Sequence, residues 1–375
     1  MVAQGRAQQT AARIFLQRDL RKGASPASAM SHASQHEHSS DNAAHFLILR
    51  IVLAAAVLFS HFPLITATRP TLWLMSPTLA VQAFFVISGW VVSASFARSS
   101  TLGSFWLRRA ARLYPLYACV IVAQAIAAWL IVQPSSDVTN ELLSYLTVNF
   151  AFMNFLQPTL FGLLADAPVK AFNPSLWTLK LEVIFYVLTP LLVTIIRAQR
   201  AIGTAVLFVA SIAMYYLSLW HSEALARQFP GQFRFFVAGI ALWQLSEHIH
   251  AKPRLWHALT AVGAFYIANR TVDVASLGVL QPVTVALFVY GAAYALPEPK
   301  KLPDVSYGIY VWHGPLIQFT LMLGLMVNLW IACAATLIVA ALSWYVVEKP
   351  AIQFARKLTV LVDKRRGLSL SRRAG

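Results

Sequence analysis

Residues 49–61 read Leu49-Arg50-Ile51-Val52-Leu53-Ala54-Ala55-Ala56-Val57-Leu58-Phe59-Ser60-His61, an apolar run with an arginine near its start and a histidine at its end. In a helix, eleven residues make about three turns, so Arg50 and His61 lie about 20° apart around the axis and about 16 Å apart along it. Both side chains are therefore expected to face one interior. With Arg50 at a bilayer edge, His61 lies near mid-depth, where a costly ionisable group indicates function.

The composition of the chain places such runs in a membrane. Of 375 residues, 58% are hydrophobic and 12% charged, whereas soluble domains carry about twice that charged fraction. The formal charge of +16 would suit nucleic acid, but most Lys and Arg residues lie between apolar runs or in the tails, as in cytoplasmic loops. We therefore expect a multi-pass protein of a cell membrane, the bacterial inner membrane, in contact with lipids and not with nucleic acid.

About ten apolar segments approach the twenty residues that a helix needs to cross a bilayer. They predict an all-α fold, a polytopic bundle of transmembrane helices. The positions of Lys and Arg in the connections predict that both termini are cytoplasmic. The connection of residues 134–173 is predicted to be interfacial or re-entrant, because a full crossing there would invert every later loop. The predicted spans are 46–66, 74–96, 113–133, 174–196, 202–220, 231–247, 256–270, 278–296, 305–325 and 328–347.

The two ends of the chain differ from this region. Residues 1–45 are rich in Ala, Ser, Gln and His and predict a flexible basic tail, within which Met30 is an alternative start. Residues 353–375 predict a basic cytoplasmic tail. The histidines of the first tail lie in a Ser-rich segment without cysteine, so we predict no metal site. Cys119 and Cys333 lie in apolar runs and are predicted to be free.

Two arginines stand at the predicted cytoplasmic edge of the third span. Arg109 and Arg112 are three residues apart and share a helical face, which suits bidentate binding of a phosphate ligand. Ordinary anchoring at phospholipid headgroups explains them equally well. In the second span, Ser88 and Gly89 are small residues that favour close packing of helices.

Two further polar residues lie inside predicted spans. Glu182 lies about 12 Å into its span from the outside, close to the depth of His61. A carboxylate there would pair with the imidazole and orient it, although neutralisation of Lys180 or Arg50 is the alternative. His313 fits equally a second pocket residue and a hydrogen-bonded interior histidine.

Six short motifs in order resemble those of the acyltransferase 3 family of integral membrane O-acyltransferases, over about residues 45–352. Many members have two adjacent acidic residues where this chain has Leu181 and Glu182. Any role that needs both carboxylates therefore lacks one of them in this chain. The motifs are Arg50 with ten residues before His61, Phe-Phe-Val-Ile-Ser-Gly at 84–89, Arg109-Ala-Ala-Arg112 before Tyr114-Pro115, Ser175-Leu-Trp-Thr-Leu with Glu182, Ser306-Tyr-Gly-Ile-Tyr-Val-Trp-His313, and Glu348-Lys-Pro350.

The resemblance implies an acyltransferase domain at residues 46–352. It implies transfer of an acyl group, commonly acetyl from acetyl-CoA as cosubstrate, to a hydroxyl of a carbohydrate such as a surface polysaccharide or lipid-linked glycan. Because a sugar hydroxyl is a poor nucleophile, a neutral imidazole at His61 would accept its proton. The resemblance also implies that Glu182 orients His61 or binds the acceptor, and that Arg50 lies at the cytoplasmic mouth of the site. Arg109 and Arg112 would bind the phosphates of acyl-CoA. The substrate pocket would include Trp177, Tyr310 and His313.

A transporter or flippase for a lipid-linked sugar or small solute is the alternative. Such a protein would use the same buried charges as a relay. The chain shows no repeat of two related halves, which is common in transporters, and the ordered motifs favour the acyltransferase.

Overall fold

Helices make up most of the described chain. The computed structural model describes residues 45–70, 75–134, 138–246, 254–272, 274–297, 299 and 302–373, with the backbone alone for residue 254 and residues 363–373. The helices are α1 Leu47–Thr66, α2 Pro77–Ala97, α3 Leu102–Val132, α4 Thr139–Phe150, α5 Trp177–Ala198, α6 Arg200–His221, α7 Glu223–Ala226, α8 Phe229–Ser246, α9 Arg254–Thr271, α10 Leu280–Ala295, α11 Ser306–Met322, α12 Leu329–Ser343 and α13 Lys349–Arg373.

The all-α prediction is confirmed, and each of the ten predicted spans coincides with a helix. Within the described part of the chain, six helical segments are long and apolar enough to cross a membrane: α1, α2, α3, α5, α6 and the continuous run Leu329–Val362. That run extends past residue 353, where the sequence predicts a tail. The count of ten spans, the cytoplasmic termini and the domain boundaries stay predictions. Residues 1–44, with Met30, His32, His36 and His38, lie outside the described part of the chain. Cys119 and Cys333 are both free, as predicted.

The segment between α3 and α5 is held against α3. Its helix α4 has 12 residues, about 18 Å, which is shorter than a bilayer core. The Tyr117 hydroxyl on α3 donates to the Asn149 carbonyl at 2.6 Å, and the rings of Tyr117 and Phe152 stack at 4.2 Å. These contacts with Tyr117 fix the position of residues 149–152 relative to α3.

Helices α2 and α8 cross at a pair of glycines. A Cβ added at Gly239 would lie 2.0 Å from the carbonyl oxygen of Val86, and one added at Gly89 would lie 2.1 Å from that of Phe236. The two backbones are therefore in contact, as the small residues of the second span predict. This crossing matters for function because α2 also packs against α1 and α5, which carry His61 and Glu182.

We expect Gly239→Ala to destabilise the protein, because the added methyl must push two backbones apart, at a cost of about 1–3 kcal/mol. Thermal unfolding in a fixed detergent measures this effect. Gly263→Ala on α9 is the matched control, since an added Cβ meets nothing within 4 Å there, and alanine favours a helix. A melting temperature for Gly239→Ala at or above that of Gly263→Ala would contradict the close crossing.

Candidate active site

His61 and His313 form a hydrogen-bonded pair between α1 and α11. His61 Nδ1 lies 2.9 Å from His313 Nε2. The hydroxyl of Ser175 lies 3.2 Å from His313 Nε2 and 3.4 Å from His61 Nδ1. His313 and Ser175 are both fully buried, at 0% exposed, whereas His61 keeps some exposure. Of the two histidines, His61 is therefore the one that a second molecule can reach.

A proline in α11 explains why Ser175 reaches the pair. Pro315 has no N–H, so the carbonyl of Val311 lacks its usual helical donor. The Asn173 side chain supplies one, with Nδ2 at 2.8 Å from that oxygen, and its Oδ1 accepts the N–H of Ser175 at 3.2 Å. Gly314 leaves room for this docking, because a Cβ there would lie 2.9 Å from Pro174 Cδ.

The surroundings of His313 decide which nitrogens carry protons. His313 Nδ1 lies 3.0 Å from the carbonyl of Ile309, which can only accept, so Nδ1 bears the hydrogen. A charged ring is costly in this buried site, so His313 is neutral and its Nε2 accepts. His61 Nδ1–H is then the donor in the pair, and His61 Nε2 carries a lone pair. That tautomer is the one that a general base needs.

Glu182 has a different partner from the one that the sequence predicts. The Tyr186 hydroxyl, one turn further along α5, donates to Glu182 Oε1 at 2.5 Å. The predicted pairing of Glu182 with His61 is therefore wrong in this structure, because His313 occupies the place beside His61 Nδ1. The equal depth of Glu182 and His61 in the membrane stays a prediction. Two residues at one depth can still face different directions around their helices.

An ion network joins α1, α3 and the segments that precede α11 and α13. Its members are Arg50, Arg112, Asp304 and Glu348. Arg50 Nη1 lies 2.7 Å from Asp304 Oδ2, and Arg112 Nη2 lies 2.5 Å from the same oxygen. Arg112 Nη1 lies 2.9 Å from Glu348 Oε2. A π-helical turn, Trp344–Glu348, turns Glu348 inwards, where it is 1% exposed. Such turns are frequent at functional sites.

Asp304 is the centre of this network. Burial alone would raise the pKa of its carboxyl, but Arg112, then Arg50, and the hydrogen bond from Ser306 outweigh burial and lower that pKa to about 2. A carboxyl with a lowered pKa stabilises the fold above its unfolded value of 3.8, and this contribution is lost as the pH falls towards 2. Asp304 is therefore charged at neutral pH.

A cavity of about 490 Å³ lies beside the network, within the range of small-molecule sites. Arg109 lines it and contacts Ser95 and the Tyr186 ring, with Nη2 at 3.3 Å from Ser95 Oγ and the guanidinium carbon at 5.8 Å from the ring centroid. Its Nε is buried without a hydrogen-bond partner among the described residues. Other lining residues, from α1, α2, α3, α5, α11 and α13, include Arg50, Phe84, Ser88, Arg108, Arg112, Thr178, Glu182, Asp304, Tyr307, Tyr310, Lys349 and Arg356.

Tyr310 and Thr178 link the cavity to the histidine pair. Their hydroxyls lie 2.7 Å apart, and both are hydrogen-bonded to the carbonyl of Ser175, at 3.3 Å and 3.0 Å. Ser175 in turn contacts both histidines. Trp177 is half-buried against the core and is not part of this link. The structure thus brings seven of the eight predicted site residues, all but Trp177, to the cavity wall or the pair. Arg112 is already held by two carboxylates.

Sequence reasoning missed Asp304 and Asn173, and gave Glu348 and Ser175 no role. The charge balance was the available signal. Arg50, Arg109 and Arg112 are predicted at one edge of the bundle and need carboxylates as partners. Asp304 stands two residues before the start of α11. For Asn173 the signal was the proline of His313-Gly314-Pro315, which frees a carbonyl for an outside donor.

Comparison with known proteins assigns this site to a family. The family model of the acyltransferase domain, acyltransferase 3, matches residues 46–348. The chain belongs to the acyltransferase 3 family. All six motifs of the resemblance have residues within the match, and so do the histidine pair, the ion network and Arg109. The acyltransferase 3 match ends at Glu348, the last residue of the π-helical turn.

Relatives of this acyltransferase 3 chain have long alignments with it. It is 29% identical to nodulation protein 10 of Rhizobium leguminosarum bv. viciae, over 87% of this chain and 99% of that protein. It is 26% identical to the O-acetyl transferase of Shigella phage Sf6, over 80% of this chain and 93% of that protein. It is 23% identical to the peptidoglycan O-acetyltransferase OatA of Listeria monocytogenes, over 74% of this chain and 52% of that protein. No solved structure matches this chain.

Proposed function

We propose that the protein is a membrane-embedded O-acyltransferase that transfers acetyl from cytoplasmic acetyl-CoA to a hydroxyl of a cell-surface or exported carbohydrate. Residues 46–352 form its catalytic domain, in the bacterial inner membrane. The observation that carries the proposal is the histidine pair, in which His313 leaves His61 Nε2 with a lone pair. Ser175, Thr178 and Tyr310 link this pair to a basic cavity.

The cavity supports an acyl-CoA as donor. Arginines and a lysine line one part of it, and its two lining carboxylates among the described residues are engaged, Asp304 with Arg50 and Arg112 and Glu182 with Tyr186. Phosphate groups favour such a surface. Arg109 binds phosphate, because its Nε has no hydrogen-bond partner among the described residues. Arg112 stabilises the cavity wall through its ion pairs with Asp304 and Glu348. This division of roles refines the predicted arginine pair.

The chemistry assigns each step to a residue. His61 Nε2 accepts the proton of the acceptor hydroxyl as its oxygen attacks the thioester carbonyl, and the carbon–sulfur bond then breaks. The proton passes from His61 to the departing thiolate, which leaves as CoA. His313 keeps Nδ1–H of His61 in place, and the hydroxyls of Tyr310 and Thr178 position the acyl end of the donor.

The names of the relatives support a carbohydrate as the acceptor. One relative is named as acting on peptidoglycan, and another as an exopolysaccharide production protein of Rhizobium meliloti, 28% identical over 70% of this chain. A glycan outside the membrane and a donor inside require one site that both faces can reach. His61 suits such a site, because it is partly exposed and is connected to the cavity through Ser175, Tyr310 and Thr178.

A deletion strain tests the proposal directly. We expect its surface polysaccharides to lack one acyl ester that the parent strain carries, as measured by mass spectrometry and NMR. The gene restores the ester when supplied in trans. If every ester persists and the uptake or export of a lipid-linked sugar is lost instead, the protein is a transporter or flippase and the proposal is wrong.

A further inference from the structure

One face of the first two turns of α13 lines the cavity. It carries basic residues that are separate from Arg109 and Arg112, the predicted phosphate-binding residues. Lys349, Ile352, Gln353 and Arg356 all border the cavity. Their spacing of three, four and seven residues is that of one helical face. Lys349 and Arg356 are exposed, so they stand at the mouth of the cavity. Among the described residues, neither is joined to a carboxylate in an ion pair.

The helix α13 leads away from the ion network. It begins directly after Glu348, which binds Arg112 at 2.9 Å, and it packs against α3. Arg356 lies two turns past Lys349, about 10 Å further along the helix. The cavity thus has two basic levels, an inner one with Arg109 and an outer one on α13.

We propose that Lys349 and Arg356 form a subsite for the terminal phosphate of the donor, the 3′-phosphate on the ribose of CoA. This inference rests on the proposed function, in which the donor is an acyl-CoA. In CoA the 3′-phosphate lies at the nucleotide end, far from the thiol, and the diphosphate lies between them. Acyl chemistry at His61 and diphosphate at Arg109 leave the mouth of the cavity to the remaining phosphate. The subsite selects CoA over carriers without that group.

Binding of CoA and 3′-dephospho-CoA tests the subsite without an acceptor. The full chain in phosphatidylcholine nanodiscs is titrated with each compound by calorimetry. We expect the wild type to bind CoA about tenfold more tightly, as charge-assisted contacts to one phosphate imply. The double variant K349Q/R356Q is expected to bind the two compounds equally, through loss of CoA affinity alone. Lys357→Gln is the matched control, because this exposed lysine on the same helix does not line the cavity.

The outcomes separate this inference from the proposed function. If the wild type binds neither compound, both the donor and the subsite are wrong. If it binds both equally, or if K349Q/R356Q keeps the wild-type ratio, the subsite is wrong and the donor stands. Discs that contain phosphatidylglycerol add a further arm. If the double variant weakens binding only in those discs, and equally for both compounds, Lys349 and Arg356 bind lipid headgroups and the inference is overturned.

Discussion

Substitution of His61 by alanine is expected to remove nearly all acyl transfer, because the base that takes the proton of the hydroxyl is lost. General-base catalysis contributes about 10²–10⁴-fold to such reactions. Membrane insertion and CoA binding should be retained, since His61 does not border the cavity. The measurement is the ester content of surface glycans in a deletion strain that carries the variant, beside the amount of protein in its membrane fraction.

His313 variants test the orientation of His61 separately. His313→Ala removes the acceptor for His61 Nδ1–H, and we expect kcat to fall about 10–100-fold with the KM for the donor unchanged. Glutamine is expected to restore part of the rate, because its amide oxygen can accept the same hydrogen. His221→Ala, an exposed histidine at the end of α6, is the control. Full activity in His61→Ala would refute the base, and equal losses for alanine and glutamine at position 313 would refute the positioning role.

Asp304→Asn is expected to have the second large effect. Among the described residues, it leaves Arg50 without a carboxylate in an ion pair and Arg112 with Glu348 alone. Removal of one partner from a buried pair costs about 3–5 kcal/mol, and the 20% exposure of Asp304 places this substitution at the lower end. A lower melting temperature and loss of CoA binding should follow together, because the network forms one wall of the cavity.

Two further variants make this prediction sharp. Arg50→Gln together with Asp304→Asn should recover part of the lost stability, because one of the uncompensated charges is gone. Glu223→Gln breaks an ion pair with Arg227 whose side chains are 80% and 76% exposed, and such pairs contribute little. A drop in melting temperature for Glu223→Gln as large as that for Asp304→Asn would show that burial of the network is unimportant.

The sequence predicted the helices well because apolar length is a local signal. Each predicted span has its helix, and Gly89 marks a true close crossing. The sequence predicted most of the residues of the site but few of the contacts between them. His61 and Arg50 were placed on one face, yet their partners come from the far end of the chain. Helical spacing says which residues share a face but not which other helix meets that face.

The missed contacts depend on local departures from regular helix. The π-helical turn of residues 344–348 directs Glu348 to Arg112, and Pro315 frees the carbonyl that Asn173 binds. Neither departure changes the hydrophobic pattern, so periodicity cannot reveal either. The paired carboxylate that the sequence led us to expect for His61 is replaced by a second histidine, which a charge-matching argument does not find.

The histidine pair also has a meaning for biosynthesis. Its two members are separated by 252 residues, one in the first helix of the described chain and the other in the eleventh. A ribosome delivers His61 to the membrane long before His313 exists, so the early chain has an imidazole of undefined tautomer and no docked serine. In the proposed mechanism, the orientation of His61 as a base therefore depends on α11, which is synthesised late. The same mechanism predicts that a nascent chain without α11 does not catalyse the hydrolysis of thioesters.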